Sequence, residues 1–187
     1  MNLSEIYRNR RSVRSYRDKP VSMEIIQKII NDSILAPSAG NEQPWKFIVV
    51  RKRVMIDRIS ADCKKNFLER IAAHPDDPAK KYVKMHQNEA FHIFYHAPAV
   101  VFITGEAQVK NLLADCALAA CYFMFSATSL GLGTCWVNFG RELSPELRKE
   151  LGIAENLEIV APLALGYPKI IPGIPSRKEP QILKVIE

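Results

Sequence analysis

The sequence predicts an α+β fold of three layers, α/β/α, with a central mixed sheet. Three observations predict it. Helical and strand patterns alternate along 187 residues, a length that fits one domain. The connections between them are often short or irregular, unlike a regular series of parallel crossover units. The last twenty residues contain Pro168, Pro172, Pro175 and Pro180, so the chain ends in an extended arm and not in a long helix.

Each element has a local reason. Asn2 to Arg8 can start a short helix, and Ser12 to Tyr16 reads as extended. Ser22 is an N-cap candidate, and Ile26, Ile29, Ile30 and Ile34 follow at helical spacing until Pro37 stops the helix. Lys46 to Val50 is a buried strand, and residues 53–70 form a charged amphipathic helix. His74-Pro75-Asp76-Asp77-Pro78 breaks the chain, and 80–95 then reads as helical, with Tyr82, Met85, Phe91, Phe94 and Tyr95 as apolar points. Ala99 to Thr104 is a second strand. Val109 to Leu130 is a helix apolar nearly all round, which places it at the centre of the fold. Thr134 to Phe139 is a third strand, Ser144-Pro145-Glu146 opens a helix that ends at Gly152, and Leu157 to Leu165 is a fourth strand. No internal repeat or interdomain linker is visible, so residues 1–187 read as one domain. The arm ends in Ile182, Leu183, Val185 and Ile186, which a free arm would leave in water. It is therefore expected to dock, on a partner subunit.

Composition excludes several classes. With 48% hydrophobic and 25% charged residues there is apolar material for a core, which disfavours disorder. Four cysteines without a C-x-x-C pair exclude a disulfide scaffold and a zinc ribbon; reduced thiols suggest a cytoplasmic protein. Glu5 and the lack of an apolar run after it argue against a secretory leader. Cys116 to Gly140 carries no charge, but Gly131, Gly133 and Asn138 interrupt it, so it reads as a buried helix and a strand and not as a membrane span. There is no phosphate-binding G-x-x-x-x-G-K loop, no H-E-x-x-H and no G-x-S-x-G. His92 and His96 stand four apart, with only His86 as an obvious further ligand, so ordinary histidines are expected and no metal site.

Charge is concentrated at the ends. The net charge is +6, of which residues 1–19 carry +4 (six basic groups, two acids) and residues 169–187 carry +2 (four basic, two acidic). A nucleic-acid partner is not expected, because no recognition motif accompanies these clusters. In an extended chain, Arg10, Ser12 and Arg14 share one face, and two guanidinium forks around a hydroxyl suit a phosphate. A solvated basic strand reads the same way. Ala36-Pro37-Ser38-Ala39-Gly40-Asn41-Glu42-Gln43-Pro44-Trp45 is a loop of small and amide side chains, either a simple turn or a surface for a flat ligand. Gly131-Leu132-Gly133-Thr134-Cys135-Trp136-Val137 is a glycine turn into a strand, where backbone N–H groups can approach a ligand.

Taken together in this order, the segments resemble the FMN-dependent nitroreductase family. Arg-Arg-Ser-Val-Arg at 10–14, the 36–45 loop, Ala97-Pro98 before a strand, Gly-Leu-Gly-Thr-Cys-Trp at 131–136, Ala-Leu-Gly-Tyr-Pro at 164–168 and Ser176-Arg177-Lys178 carry the resemblance over nearly the whole chain. The resemblance implies a homodimer with one FMN in each of two interface clefts. It implies that Arg10, Arg11, Ser12 and Arg14 contact the cofactor, with Arg10, Ser12, Arg14 and Arg177 of the arm on the phosphate and ribityl chain. It further implies that Pro37, Ser38 and Asn41 line the flavin from the other subunit. A backbone N–H within Cys135, Trp136 and Val137 would reach flavin N5, although Val137-Asn138-Phe139 lacks the glycine common in relatives. Residues 62–96 would form a variable cap over the substrate cleft. The implied reaction is ping-pong, from NADH or NADPH through FMN to a flat acceptor such as a nitroaromatic or a quinone, with no catalytic side chain required. The alternatives are a specialised branch (reductive dehalogenation or flavin destruction) and a flavin-binding storage or sensing protein without turnover.

Overall fold

Four apolar runs build the sheet. In the computed structural model, which describes residues 1–187, the order of elements is α1 (Leu3–Asn9), α2 (Met23–Ser33), β1 (Lys46–Val50), α3 (Arg53–Ala73), α4 (Val83–Gln87), β2 (Ala99–Glu106), α5 (Leu112–Ser129), β3 (Gly133–Trp136), α6 (Pro145–Glu150) and β4 (Leu157–Gly166). The strands lie in the order β1-β2-β4-β3, and every neighbouring pair is antiparallel. The parallel component of the expected mixed sheet is a single bridge, Ser12 to Thr134.

Period-two alternation sends β2 side chains into two cores. Ala99, Val101 and Ile103 pack with α2 and α5 on one face, while Val100 and Phe102 pack with α3, the 93–97 turns and α6 on the other. Both faces of the sheet are thus covered, which gives the three layers. A bulge lies where Ile103 pairs with Ala161 but Thr104 pairs with Ile159. Val160 is the extra residue, and it joins Ala161 on the α2–α5 side.

Local signals set the helix ends. Asn2 and Glu5 form a capping box on α1, Ser22 accepts from Ile25 N–H, and Ser144 accepts from Leu147 N–H. Helix α5 is long and apolar enough to cross a membrane, but it is a core helix that buries Ala119, Ala120, Phe123 and Ala127 against the sheet. Its other side leaves Leu113, Leu118 and Tyr122 exposed, so it is apolar all round without being enclosed all round.

Two expectations are corrected. The predicted 80–95 helix is a 3-10 turn at Pro78–Tyr82, then α4, and α4 stops at Gln87; turns occupy the chain up to β2. The predicted strand from Thr134 to Phe139 ends at Trp136 and coils into a 3-10 turn at Asn138–Arg141. Its partner Pro162 has no N–H, so the ladder ends where Val137 N–H donates to Pro162 O. The C-terminal arm is extended and exposed, as its prolines predict. Beyond Lys169, whose N–H donates to Ser15 O at 2.9 Å, it makes no hydrogen bond, and Leu183 is 95% exposed.

Candidate functional site

The basic segment is seated by β3. Arg10 caps α1 in extended backbone, and the chain then runs beside β3, with Val13 N–H donating to Thr134 O at 2.9 Å. Val13 turns inward onto Gly133, where a Cβ would stand 2.5 Å from Val13 Cγ2; glycine is required for this approach. Alternation then turns Ser12 and Arg14 the other way. Arg14 and Arg10 both act on the Cys135 thiol: burial raises its pKa, and the two guanidiniums lower it. Arg10 and Arg14 are therefore gathered at one strand residue. Arg11 shares the side of Val13. It lines a cavity of about 290 Å³ with Gly131 and Gly133, and its Nη1 donates to Arg10 O at 2.7 Å. None of Arg10, Arg11, Arg14 or Arg177 takes part in the nine ion pairs of the molecule. Arg177 lies in the exposed arm, away from any hydrogen-bond partner.

The ladder decides which N–H of the Cys135–Val137 segment is available. Val137 N–H is committed to Pro162 O at 2.8 Å. Cys135, two residues back, points the same way toward β4, so Trp136 is the residue whose N–H faces the open edge.

Tyr95 closes this edge from the cap region. Its ring centroid is 5.8 Å from Arg14 Cζ. Burial raises the Tyr95 pKa and the nearby Cys135 adds to it, whereas Arg14 opposes both. Burial likewise pushes Tyr16 up, and the Tyr16 hydroxyl donates to Val13 O at 2.8 Å. At neutral pH the edge thus holds neutral thiol and phenol groups around charged guanidiniums. Tyr95 and His96 both have φ of +55°, a left-handed pair without glycine that costs about 1–2 kcal/mol per residue. Phe94 is fully buried core, and Tyr82 rests edge-on against Phe139 at 5.3 Å.

The histidines form a brace. Asp57, His92 and His96 place ligand-type atoms within 4.8 Å of one another. However, His92 Nδ1 accepts N–H bonds from Phe94 at 3.0 Å and His96 at 3.3 Å. The proton therefore sits on Nε2, which faces Asp57 Oδ1 at 3.3 Å. A metal on Nε2 would need an imidazolate, so the geometry favours the brace. His86 is separate: it stacks on Phe67 at 3.9 Å, and its Nδ1 donates to Tyr82 O.

Pro37, Ser38 and Asn41 lie elsewhere. Their loop enters β1, the opposite edge strand. Ser38 Oγ accepts from Gln43 N–H at 3.1 Å, Asn41 Oδ1 accepts from Gln43 Nε2 at 3.1 Å, and Ala39 N–H donates to Asp115 Oδ1 at 3.1 Å. Asp115 is 3% exposed and stands in the first turn of α5, whereas β3 follows the far end of that helix. The 18 residues of α5 span about 27 Å. Edge to edge, three strand spacings add roughly 14 Å across the sheet. One chain does not bring the two groups of residues together.

The profile described as the nitroreductase family matches residues 7–167. The chain belongs to the nitroreductase family. A protein of Archaeoglobus fulgidus, named by inference an NADH dehydrogenase/NAD(P)H nitroreductase, is 33% identical over 177 residues, covering 89% of this chain and 85% of its own. The 4-nitrobenzoate reductase of Pseudomonas putida is 28% identical over 187 residues, covering 85% of this chain and 82% of its own. The crystal structure of a nitroreductase with bound FMN from Bacteroides fragilis superposes with a TM-score of 0.84 at 29% identity, covering 99% of this chain and all of that one. The nitroreductase match takes in both edges, but it ends before the arm and Arg177.

The role of Asp115 and the turn that carries Tyr95 were not foreseen from the sequence. Asp115, an acid in an apolar helix, was a usable signal for a buried polar contact. The left-handed turn at Tyr95 had little signal: histidine is enriched at positive φ, but tyrosine is not, and no glycine or asparagine marks the pair.

Proposed function

We propose that this chain is an FMN-dependent oxidoreductase, working as a homodimer that carries hydride from NADH or NADPH to a flat acceptor such as a nitroaromatic or a quinone. The observation that carries the reading is the open β3 edge, where Arg10 and Arg14 gather without a carboxylate partner beside the Ser12 hydroxyl. That donor set fits the phosphate of FMN, which takes charge-assisted hydrogen bonds from guanidinium groups. Bound there, FMN would supply the two-electron chemistry.

The chain's own residues then have distinct tasks. Arg10, Ser12 and Arg14 hold the phosphate and ribityl end. Trp136 N–H, on the open edge, is the donor best placed for the flavin ring, in preference to Val137 N–H. Arg11, on the far side of the strand, steadies the turn after α1 through Arg10 O. Pro37, Ser38 and Asn41 stand too far away to serve the same cofactor, so in this reading they come from the partner subunit. The exposed apolar residues Leu35, Leu113, Leu118 and Tyr122, together with the arm, supply the surface such a dimer would bury. In the dimer Arg177 would reach the phosphate. Cys135, Tyr16 and Tyr95 stay protonated, so the side chains present no base at the edge, and stacking of a flat acceptor is the main demand on the cleft. Four free thiols suit a reducing cytoplasm.

The test is an absorbance spectrum of the purified protein, followed by anaerobic addition of NADH or NADPH. Flavin bands that bleach are expected. A colourless protein that refuses added FMN would overturn the reading.

A further inference from the structure

The run of turns between α4 and β2 has a construction that cofactor binding by Arg10 and Arg14 does not itself require. Tyr95 and His96 are consecutive left-handed residues with no glycine. Such a pair persists only where its surroundings over-determine it. Here four polar contacts do so. His92 Nδ1 takes the N–H groups of Phe94 and His96, His92 O takes Tyr95 N–H at 2.9 Å, and Arg53 Nη1 donates to His96 O at 2.8 Å. Asp57 faces the protonated Nε2 of His92. Arg53 and Asp57 are four apart on α3, so one helical turn grips the carbonyl of His96 and the ring of His92 together. Charged and titratable groups around His92 are Asp57, Arg53 and His96. The product of this brace is the position of the Tyr95 ring, half-buried against Arg14. Arg14 otherwise has one long bond, 3.4 Å from its Nη1 to Ser12 O, and no acidic partner. A long, exposed guanidinium held so lightly needs a second contact to be ready for an anion, and the ring of Tyr95 provides it.

We propose that His92 and Tyr95 are positioning residues for the cofactor. The hydrogen bonds of His92 and Arg53 fix the left-handed turn, the turn sets Tyr95 on Arg14, and this contact sets how tightly FMN is held. The inference rests on the assignment of Arg14 to the FMN site.

The experiment titrates flavin-free protein with FMN and follows flavin fluorescence, with a thermal melt on every variant. Tyr95→Leu should weaken FMN binding about tenfold while the melt stays near wild type, since the side chain is only half-buried. His92→Leu leaves two N–H groups without an acceptor and should weaken FMN about tenfold. His92→Asn puts an amide oxygen where Nδ1 stood and should stay within about threefold of wild type. The double variant His92→Leu/Tyr95→Leu should be little worse than either single variant, because both break the same contact. Wild-type affinity in Tyr95→Leu overturns the inference, and so do additive effects in the double variant or a folded His92→Asn no better than His92→Leu. If His92→Leu does not fold, Tyr95→Leu and His92→Asn decide. Arg14→Ala separates the two readings. Undiminished FMN affinity in Arg14→Ala would remove Arg14 from the site altogether. Lost affinity there, with none lost in Tyr95→Leu, would sink this inference alone.

Discussion

The two edges of the sheet differ in almost every respect. The β3 edge is basic, carries guanidiniums without carboxylates, and is approached by a segment that needs Gly133 to come close. The β1 edge is led by a loop of small and amide residues that is pinned from behind by Asp115. One edge has the chemistry to hold an anion, and the other has the shape to lie along a flat ring. Each has a buried polar group behind it, His92 beside the half-exposed Asp57 at one and Asp115 at the other. The difference teaches that a single chain keeps these two sets of residues on opposite edges, so the proposed cofactor site would need a second subunit to join them.

The hardest way to break that comparison is to remove what would join the halves. Truncation after Pro168 should abolish the dimer and FMN retention together, read by sedimentation and by absorbance. A yellow, stable, truncated monomer would mean that one chain holds the cofactor without the arm. Next in size is the basic edge itself. Arg10→Ala or Arg14→Ala should each weaken FMN binding by about 1.5–3 kcal/mol, the usual worth of a hydrogen bond to a charged group. The protein's own stability should barely change, because neither guanidinium is ion-paired in the fold. Unchanged flavin content in both variants would take the phosphate away from this edge.

Much of the β3 edge was legible in the sequence. Arg10, Ser12 and Arg14 alternate with Val13, and Val13 is buried, so the pattern alone assigned the basic face. The apolar runs of β1, β2 and β4 and the Ser22 cap were legible for the same reason: local composition and the packed result agree. The 88–98 turns were not. Their aromatic spacing mimics a helix, but the His92 ring competes with the helical ladder for N–H groups, and helix periodicity carries no trace of that. The end of β3 was also hidden. It depends on Pro162, which lies 25 residues away in β4, meeting Val137. Nor does sequence spacing reveal that the 36–45 loop and the 131–137 turn occupy opposite edges; strand order decides it.

Acid separates these two buried groups. Burial, with the neighbouring His96 adding to it and Asp57 opposing, holds the folded His92 pKa near 4, against about 6.5 in an unfolded chain. Between those values the unfolded chain binds more protons, so stability falls as pH falls through that window. From pH 7 to pH 5 the loss from His92 alone is about 2 kcal/mol. His92→Asn removes this titration and should flatten the melting temperature against pH over that range. An equally steep profile in His92→Asn would place the acid sensitivity in another group.

The smallest effect belongs to the β1 edge. Asp115 offers one oxygen to Ala39 N–H, while its other oxygen is buried without a partner. Removing the carboxylate therefore has two opposed consequences. Asp115→Ala leaves the Ala39 N–H unpaired, which costs about 1–3 kcal/mol, but it also relieves an oxygen that already lacks a partner. The net change in stability should be no more than about 1 kcal/mol. Asp115→Asn keeps an acceptor for Ala39 and should sit closer still to wild type. The sensitive readout is local. Hydrogen exchange at Ala39 and its neighbours should quicken in Asp115→Ala and stay slow in Asp115→Asn, with the β3 edge unaffected in both. Faster exchange at Val13 in Asp115→Ala would show that the two edges are coupled within one chain, and the division drawn between them would fail.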